Sequence, residues 1–326
     1  MKRVRRGVPS YSIFGTHCDW RAIEVGSTGL DAAYIVTRGN HPQLELQVSR
    51  LLKEVASVFV LYSEMPALGS SDIAKSISFL RFDESWLADT PSLASTPWCR
   101  EVLRRNFSIP YKRNFAINHA RVHGFRHILL IDDDINFREG LGRRAKSMLA
   151  NGATAYGTFS LYHPDISITD MWVHRERGST PPVSISGNCV AIDVHQPLSF
   201  FPEVYNEDWL FFQALVELQG GHIAAGENVV QMPPRHKSVE QAKFQQFGEV
   251  LADCLTSPAI AYSPTLFDLT IRRHVERSIG RRQRLLKALE IKWEGLSDLV
   301  EEIRSNSADE LVEFASEFIE KNATAW

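Results

Sequence analysis

The sequence predicts an α/β protein whose parallel sheet becomes a mixed sheet and then gives way to helices. Three observations carry this. Short apolar runs alternate with helical stripes at the pitch of βαβ units as far as residue 153. One run, Ile128 to Ile131, is apolar at every position, as in a parallel strand covered on both faces. From Val239 onward the pattern is helical with charged faces and few strand signals. The expected division is therefore residues 1–238 as the α/β unit and 239–326 as a C-terminal helical extension.

The elements follow in order. Residues 1–30 carry no clear assignment. Ala32 to Thr37 reads as a first buried strand, closed by Arg38-Gly39-Asn40. Leu44, Val48, Leu51, Leu52 and Val55 form one helical stripe. Val58 to Tyr62 and Ile77 to Phe82 read as strands, and Asp83 to Pro97 as a surface loop. A short helix is expected over Cys99 to Asn106. A longer one over Asn114 to Gly124 carries Phe115, Ile117, Ala120 and Val122, with the glycine as its stop. After the acidic strand come a helix from Leu141 to Ala150 and strands at Ala155–Tyr162 and Val183–Val194. A helix over Asp208 to Leu218, closed by Gly220-Gly221, and a strand over Asn228 to Met232 complete this part.

The chain has 326 residues, 44% hydrophobic and 23% charged, which suits a soluble globular protein with a sizeable core. A net charge of −3 gives no overall drive towards nucleic acid or anionic membranes. Lys2, Arg3, Arg5 and Arg6 precede no apolar stretch, unlike a signal peptide, and no run approaches the roughly 20 apolar residues of a membrane helix. Cys18, Cys99, Cys189 and Cys254 lie far apart without C-x-x-C spacing, so free thiols in a reducing cytoplasm are expected.

The chemistry concentrates where the apolar run ends, at Asp132, Asp133 and Asp134. Open α/β sheets bind ligands beyond the carboxyl ends of their strands. Carboxylate oxygens are hard ligands suited to Mg²⁺ or Mn²⁺, usually completed by substrate phosphates. An acidic turn or helix N-cap is the plain alternative. Lys112-Arg113-Asn114, just before the helix that leads into the acidic strand, offers two cations for a diphosphate, or else a solvated basic turn. Ser186-Gly187-Asn188 places a glycine where backbone could approach a ligand, or forms an ordinary turn. Asn206-Glu207-Asp208-Trp209 opens a helix, where carboxylates either cap the helix or accept a proton from an incoming hydroxyl. Pro233-Pro234-Arg235-His236-Lys237 could hold His236 as a nitrogen ligand, though a lone histidine is commonly only a surface or core residue.

The order of these pieces resembles the GT-A (Rossmann-like) class of nucleotide-sugar glycosyltransferases, over about residues 30–238. The matching residues are Tyr34 to Arg38, Lys112 to Ile117, Asp132-Asp133-Asp134 as the D-x-D motif, Gly187-Asn188, Glu207-Asp208 as the E-D motif, and His236. The resemblance implies transfer of a sugar from a nucleoside-diphosphate sugar, UDP being the commonest, to an acceptor hydroxyl with Mn²⁺ or Mg²⁺. It implies Thr37 and Arg38 against the base and Asp132 near the ribose or sugar. Asp134 and His236 would bind the metal, and Lys112 and Arg113 the diphosphate side. Asp133 would be accessory, since the middle position needs no acid. Gly187, Asn188 and Trp209 would lie on the acceptor side. Asp208 would be general base, with Glu207 as substitute, and the transfer would then invert the anomeric carbon.

A nucleotidyl- or phosphotransferase would also use paired aspartates and a metal. No G-x-x-x-x-G-K-[ST] loop is present, and only Arg38-Gly39-Asn40 follows the first strand where related nucleotidyltransferases carry a glycine-rich loop. The basic stretch from Arg272 to Lys287 (Arg272, Arg273, Arg277, Arg281, Arg282, Arg284) is read as a solvated helix face or one paired with the acidic Glu294–Glu320 region. A nucleic-acid acceptor held by that stretch is the alternative. The acceptor, whether small molecule, glycan or nucleic acid, is not named by any side chain, and a homodimer through the C-terminal helices is compatible with the pattern.

Overall fold

The computed structural model describes residues 29–39, 41–66, 68–82, 108–161, 167–178, 185–231, 239–255, 267–290, 295–305 and 308–324. Its described strands form one eight-stranded sheet: β1 (Leu30–Val36), β2 (Val55–Tyr62), β3 (Ser78–Arg81), β4 (His127–Asp132), β5 (Ile135–Asn136), β6 (Ala155–Leu161), β7 (Ile185–Asp193) and β8 (Ile223–Gln231). The order is β3-β2-β1-β4-β7-β6-β8-β5. β1, β2, β3 and β4 run parallel, β7 is antiparallel to both β4 and β6, β8 is parallel to β6, and β5 is antiparallel to β8. The expected change from a parallel to a mixed sheet therefore occurs, with β4 itself at the junction.

Side-chain alternation explains why β4 is apolar throughout. Ile128 and Leu130 face one core cluster, while Leu129 and Ile131 face the other. The first face is covered by α3 (Ile109–Val122) and α6 (Glu207–Glu217), through Ala116, Ile117, Ala120, Phe211, Phe212 and Leu215. The second is covered by α1 (Leu44–Leu51) and α4 (Leu141–Ala150), through Leu44, Val48, Leu51, Leu141, Ala145 and Leu149. Only Asp133 and Asp134 separate β4 from β5, a span of about 10 Å at full extension. Yet β5 stands four strand steps from β4, about 19 Å in a flat sheet. The sheet must curl, and this brings the end of β8 to the acidic turn.

Several expected boundaries move. Val55 begins β2 instead of closing the first helix. α3 starts five residues before Asn114, with Pro110 in its first turn, so Lys112 and Arg113 are helical and buried, not a solvated basic turn. Val122, expected on the apolar face, is 75% exposed. The short α2 (Ser71–Lys75), α5 (Ile168–Arg177) and β5 had no counterpart in the sequence reading. The expected loop at 83–97 and helix at 99–106 lie outside the described residues.

The C-terminal part is helical as expected: α7 (Val239–Leu255), α8 (Phe267–Glu290), α9 (Leu296–Ser305) and α10 (Ala308–Thr324). It does not hang from the sheet as a separate piece. Leu210 and Ala214 on the far side of α6, with Phe200 and Val204, share one cluster with α7, α8 and α10. α6 is thus packed on two sides, which is why it is apolar nearly all round. Within the basic stretch of α8, Arg272 pairs with Asp309 at 2.6 Å, Arg281 pairs with Asp253, and Arg282 is buried. No helix among the described residues is long and apolar enough to cross a membrane. Cys189 and Cys254 are buried and form no disulfide among the described residues, and burial pushes the Cys254 thiol up to about 12.

Asn114 ties α3 to the segment before α6: its amide donates to the Phe201 carbonyl at 2.8 Å and its Oδ1 accepts from the Phe201 N–H at 2.8 Å. Both backbone groups are orphaned in Asn114→Ala, so the variant is expected to lose about 2–4 kcal/mol of stability, read by urea denaturation.

Candidate active site around the acidic turn

The site begins with a helical stripe. Arg113, Ala116, Ile117 and Ala120 share the sheet-facing side of α3, so the guanidinium is driven inward with the apolar residues. Asp132 has the parity of Ile128 and Leu130 and points to the same face. The two meet: Arg113 Nη2 donates to Asp132 Oδ1 at 3.0 Å and to Oδ2 at 3.2 Å. Arg113 Nη1 donates to Glu207 Oε1 at 2.8 Å, at the first residue of α6. The Phe201 ring lies 5.4 Å from the guanidinium carbon. Burial opposes the charge on Arg113, but Asp132, Glu207 and Asp208 together hold its pKa above the ordinary value.

The three aspartates have different surroundings. Asp132 is paired with Arg113. Asp133 accepts from Thr37 Oγ1 at 2.5 Å, linking the ends of β1 and β4. Burial raises the Asp133 pKa against the opposing Thr37 bond. Asp134 Oδ2 accepts from Gln231 Nε2 at 3.3 Å, but Asp134 Oδ1 is buried without a hydrogen-bond partner. Burial, then repulsion from Asp132 and Asp133, pushes the Asp134 carboxyl up to about 7. The turn is pinned from behind by Gln47, which donates to the carbonyls of Asp132 at 2.6 Å and Ile135 at 3.2 Å.

Lys112 is fully buried and donates to the Thr37 carbonyl at 2.6 Å and to Ser63 Oγ at 2.8 Å. Burial, followed by Arg38, brings its pKa down to about 8. It therefore holds the end of β1 in place, while Arg38 beside it is exposed. Gly187 lies in β7 under Asp208. A Cβ there would sit 2.4 Å from Asp208 Cβ and 3.0 Å from Arg113 Nη1, so only glycine fits. Asp208 Oδ2 accepts the Gly187 N–H at 2.7 Å, and Oδ1 accepts the N–H of half-buried Trp209 at 2.9 Å. Asn188 donates to Ser160 Oγ at 3.0 Å and Gln231 Oε1 at 3.2 Å, while its own Oδ1 is buried without a hydrogen bond.

The structure thus brings together Thr37, Lys112, Arg113, the three aspartates, Gly187, Asn188, Glu207 and Asp208. His236 lies outside the described residues. Gln231, Gln47 and Ser160 were missed. Gln231 was findable in one respect, as the last residue of a strand adjoining Met232-Pro233-Pro234. Gln47 and Ser160 carry no sequence signal.

Among the described residues no group of three or more His, Cys, Asp or Glu is arranged to hold a metal. The orphaned Asp134 Oδ1 nevertheless fits a hard divalent cation. Mg²⁺ in particular is commonly held by one or two carboxylates plus substrate phosphates. No protein-family model matches the chain, and no curated protein matches it. Among solved structures, glucosyl-3-phosphoglycerate synthase of Mycobacterium tuberculosis is similar over 76% of this chain and 81% of its own, at 15% identity and a TM-score of 0.41. The same enzyme in complex with Mn²⁺, UDP-glucose and phosphoglyceric acid gives 14% identity and 0.42, over 76% of this chain and 80% of its own. A putative glucose-1-phosphate thymidylyltransferase from Bacillus anthracis gives 8% identity and 0.33, over 60% and 86%. These likenesses are too distant to assign a family.

Asp134 also sets a pH dependence. Its folded pKa lies above the unfolded value, so the folded chain binds the extra proton and this group's contribution falls as pH rises from about 4 through about 7. Asp134→Asn should remove that loss, raising Tm at about pH 8 relative to the parent. Added Mn²⁺ should raise the parent's Tm at that pH and leave the variant's unchanged, as thermal melts would show.

Proposed function

We propose that this chain is a metal-dependent glycosyltransferase of GT-A type that takes a sugar from a nucleoside-diphosphate sugar, UDP-sugars first, to an acceptor hydroxyl. One observation carries the reading. A strand-end carboxylate (Asp132) and a helix-start carboxylate (Glu207) converge on one buried guanidinium, beside an aspartate whose buried oxygen is open to a cation. That arrangement suits a diphosphate delivered to the carboxyl end of β4.

Asp134 is the residue proposed to hold Mn²⁺ or Mg²⁺, with His236 as a second ligand. A divalent cation there supplies positive charge to the departing diphosphate. Asp132, paired with and oriented by Arg113, accepts hydroxyls of the ribose or sugar. Lys112 fixes the Thr37 carbonyl and so the strand end where Thr37 and Arg38 meet the base. Asn188 Oδ1, buried and open, offers an acceptor to a hydroxyl on the far side. We assign Asp208 a positioning role in place of the proton-accepting role its sequence suggested. Its two oxygens are committed to backbone N–H groups, and such bonds weaken a carboxylate as a base. The finer assignment of an inverting transfer through Asp208 falls with it.

With a panel of nucleotide-sugars and Mn²⁺, the purified chain is expected to release nucleoside diphosphate slowly, and Asp134→Ala to lose that release. No release and no binding with any donor, with or without metal, would defeat the proposal. Pyrophosphate released from a nucleoside triphosphate instead would establish nucleotidyl transfer. Asp208→Asn should weaken donor binding and turnover together, because its amide meets the Gly187 or Trp209 N–H donor to donor. Intact binding with turnover abolished would restore Asp208 as the base.

A further inference from the structure

α6 presents Glu207 and Asp208 from a turn whose backbone is unusual. Asn206 has φ 66°, the left-handed region, and stands one residue before Glu207. A non-glycine residue stays there when its surroundings hold it. The surroundings come from the C-terminal helices. At Gly248 the α7 backbone lies so close to Tyr205 that an added Cβ would sit 1.9 Å from the Tyr205 carbonyl oxygen. The next residue, Glu249, accepts from Asn206 Nδ2 at 3.2 Å through Oε1.

Glu249 is itself gripped. Arg282 of α8, buried opposite the exposed basic face, approaches Glu249 Oε2 at 3.6 Å and donates to Asp170 Oδ1 at 2.6 Å. It also donates to Gln246 Oε1 at 2.8 Å, Ser167 Oγ at 3.1 Å and Thr169 Oγ1. One guanidinium therefore joins α7, α8 and the start of α5, and its network ends on the Asn206 amide. Burial, offset in part by Arg282 and reinforced by Asp170, pushes the Glu249 carboxyl up to about 8, so a neutral group is compatible with this place.

We propose that Gly248 and Glu249, anchored by Arg282, are positioning residues that set the Tyr205–Asn206 turn and through it the carboxylates of Glu207 and Asp208. The C-terminal helices are thus a working part of the site and not an appended domain. The consequence for catalysis rests on the transferase reading, but the positioning itself does not.

Amide hydrogen exchange tests the positioning without any substrate. The probes are Leu210 N–H, bonded to the Asn206 carbonyl, and the Trp209 and Gly187 N–H groups, bonded to Asp208. Glu249→Ala should speed exchange at these amides about fivefold or more, the loss of one buried hydrogen bond, with the amides of α4 unchanged. Glu249→Gln keeps an acceptor for Asn206 and should stay within about twofold of the parent. Asn206→Gly keeps the left-handed backbone but drops the amide, so it should match Glu249→Ala, and the double variant should add nothing further. Unchanged exchange at the three amides, or a rise shared equally by α4, would overturn the proposal. In donor hydrolysis the same variants should lower kcat about fivefold or more, with Glu249→Gln again close to the parent. A parent chain that hydrolyses no donor would defeat the transferase reading and leave the exchange result standing.

Discussion

The burial of one guanidinium organises this molecule. Arginine cannot shed its proton in a protein, so placing Arg113 at 3% exposure obliges anions to come to it. Asp132 comes from the end of β4, Glu207 from the start of α6, and Phe201 supplies a ring face. Desolvating such a group costs several kcal/mol that its partners need not recover in full, so the arrangement is weak evidence of stability gained. What it provides is position. Three elements far apart in sequence have a single shared geometry, and each carries a carboxylate or backbone group into the same cleft.

The acidic turn shows how three identical residues acquire different properties. Asp132 is compensated by a buried cation, Asp133 by a hydroxyl from the neighbouring strand, and Asp134 by a single amide bond that leaves one oxygen open. The gradient follows from the sheet. β1 lies next to β4 and reaches Asp133, whereas Asp134 has turned towards β8, which arrives only because the sheet curls. A desolvated charge at the least compensated position is the one best prepared for a cation.

Much of this was legible in the sequence, and the failures have physical reasons. The apolar run ending in aspartates marked β4 because a strand covered on both faces has no polar side to show. The α4 helix was bounded correctly because Asn151-Gly152 is a local stop signal. Lys112 and Arg113 were misplaced because cations usually mark solvent. Yet Arg113 continues the Ala116, Ile117, Ala120 stripe, and a cation in phase with an apolar stripe signals a buried ion pair. Gln47, Ser160 and Gln231 were invisible because a polar side chain acquires its role from tertiary neighbours, which the local pattern does not encode. The left-handed Asn206 was half visible: asparagine tolerates that backbone, but nothing local says that a helix 43 residues later holds it there.

The two buried guanidiniums, Arg113 and Arg282, bracket α6 from opposite sides. Arg113 of α3 engages Glu207 on the sheet side, and Arg282 reaches Asn206 through Glu249. The adjoining residues Asn206 and Glu207 are therefore fixed by separate networks, one in each half of the chain. A displacement of the Arg282 network reaches Asp208 through the Asn206–Glu207 peptide unit, whereas Arg113 also lies directly beside Gly187 and Asp208. Packing on both faces of α6 leaves the helix little freedom to absorb such a displacement by rolling. The first turn of α6 is thus where the fold of the sheet and the fold of the C-terminal helices meet in a single set of backbone angles. A largely apolar helix with two carboxylates in its first turn is what such a meeting point requires.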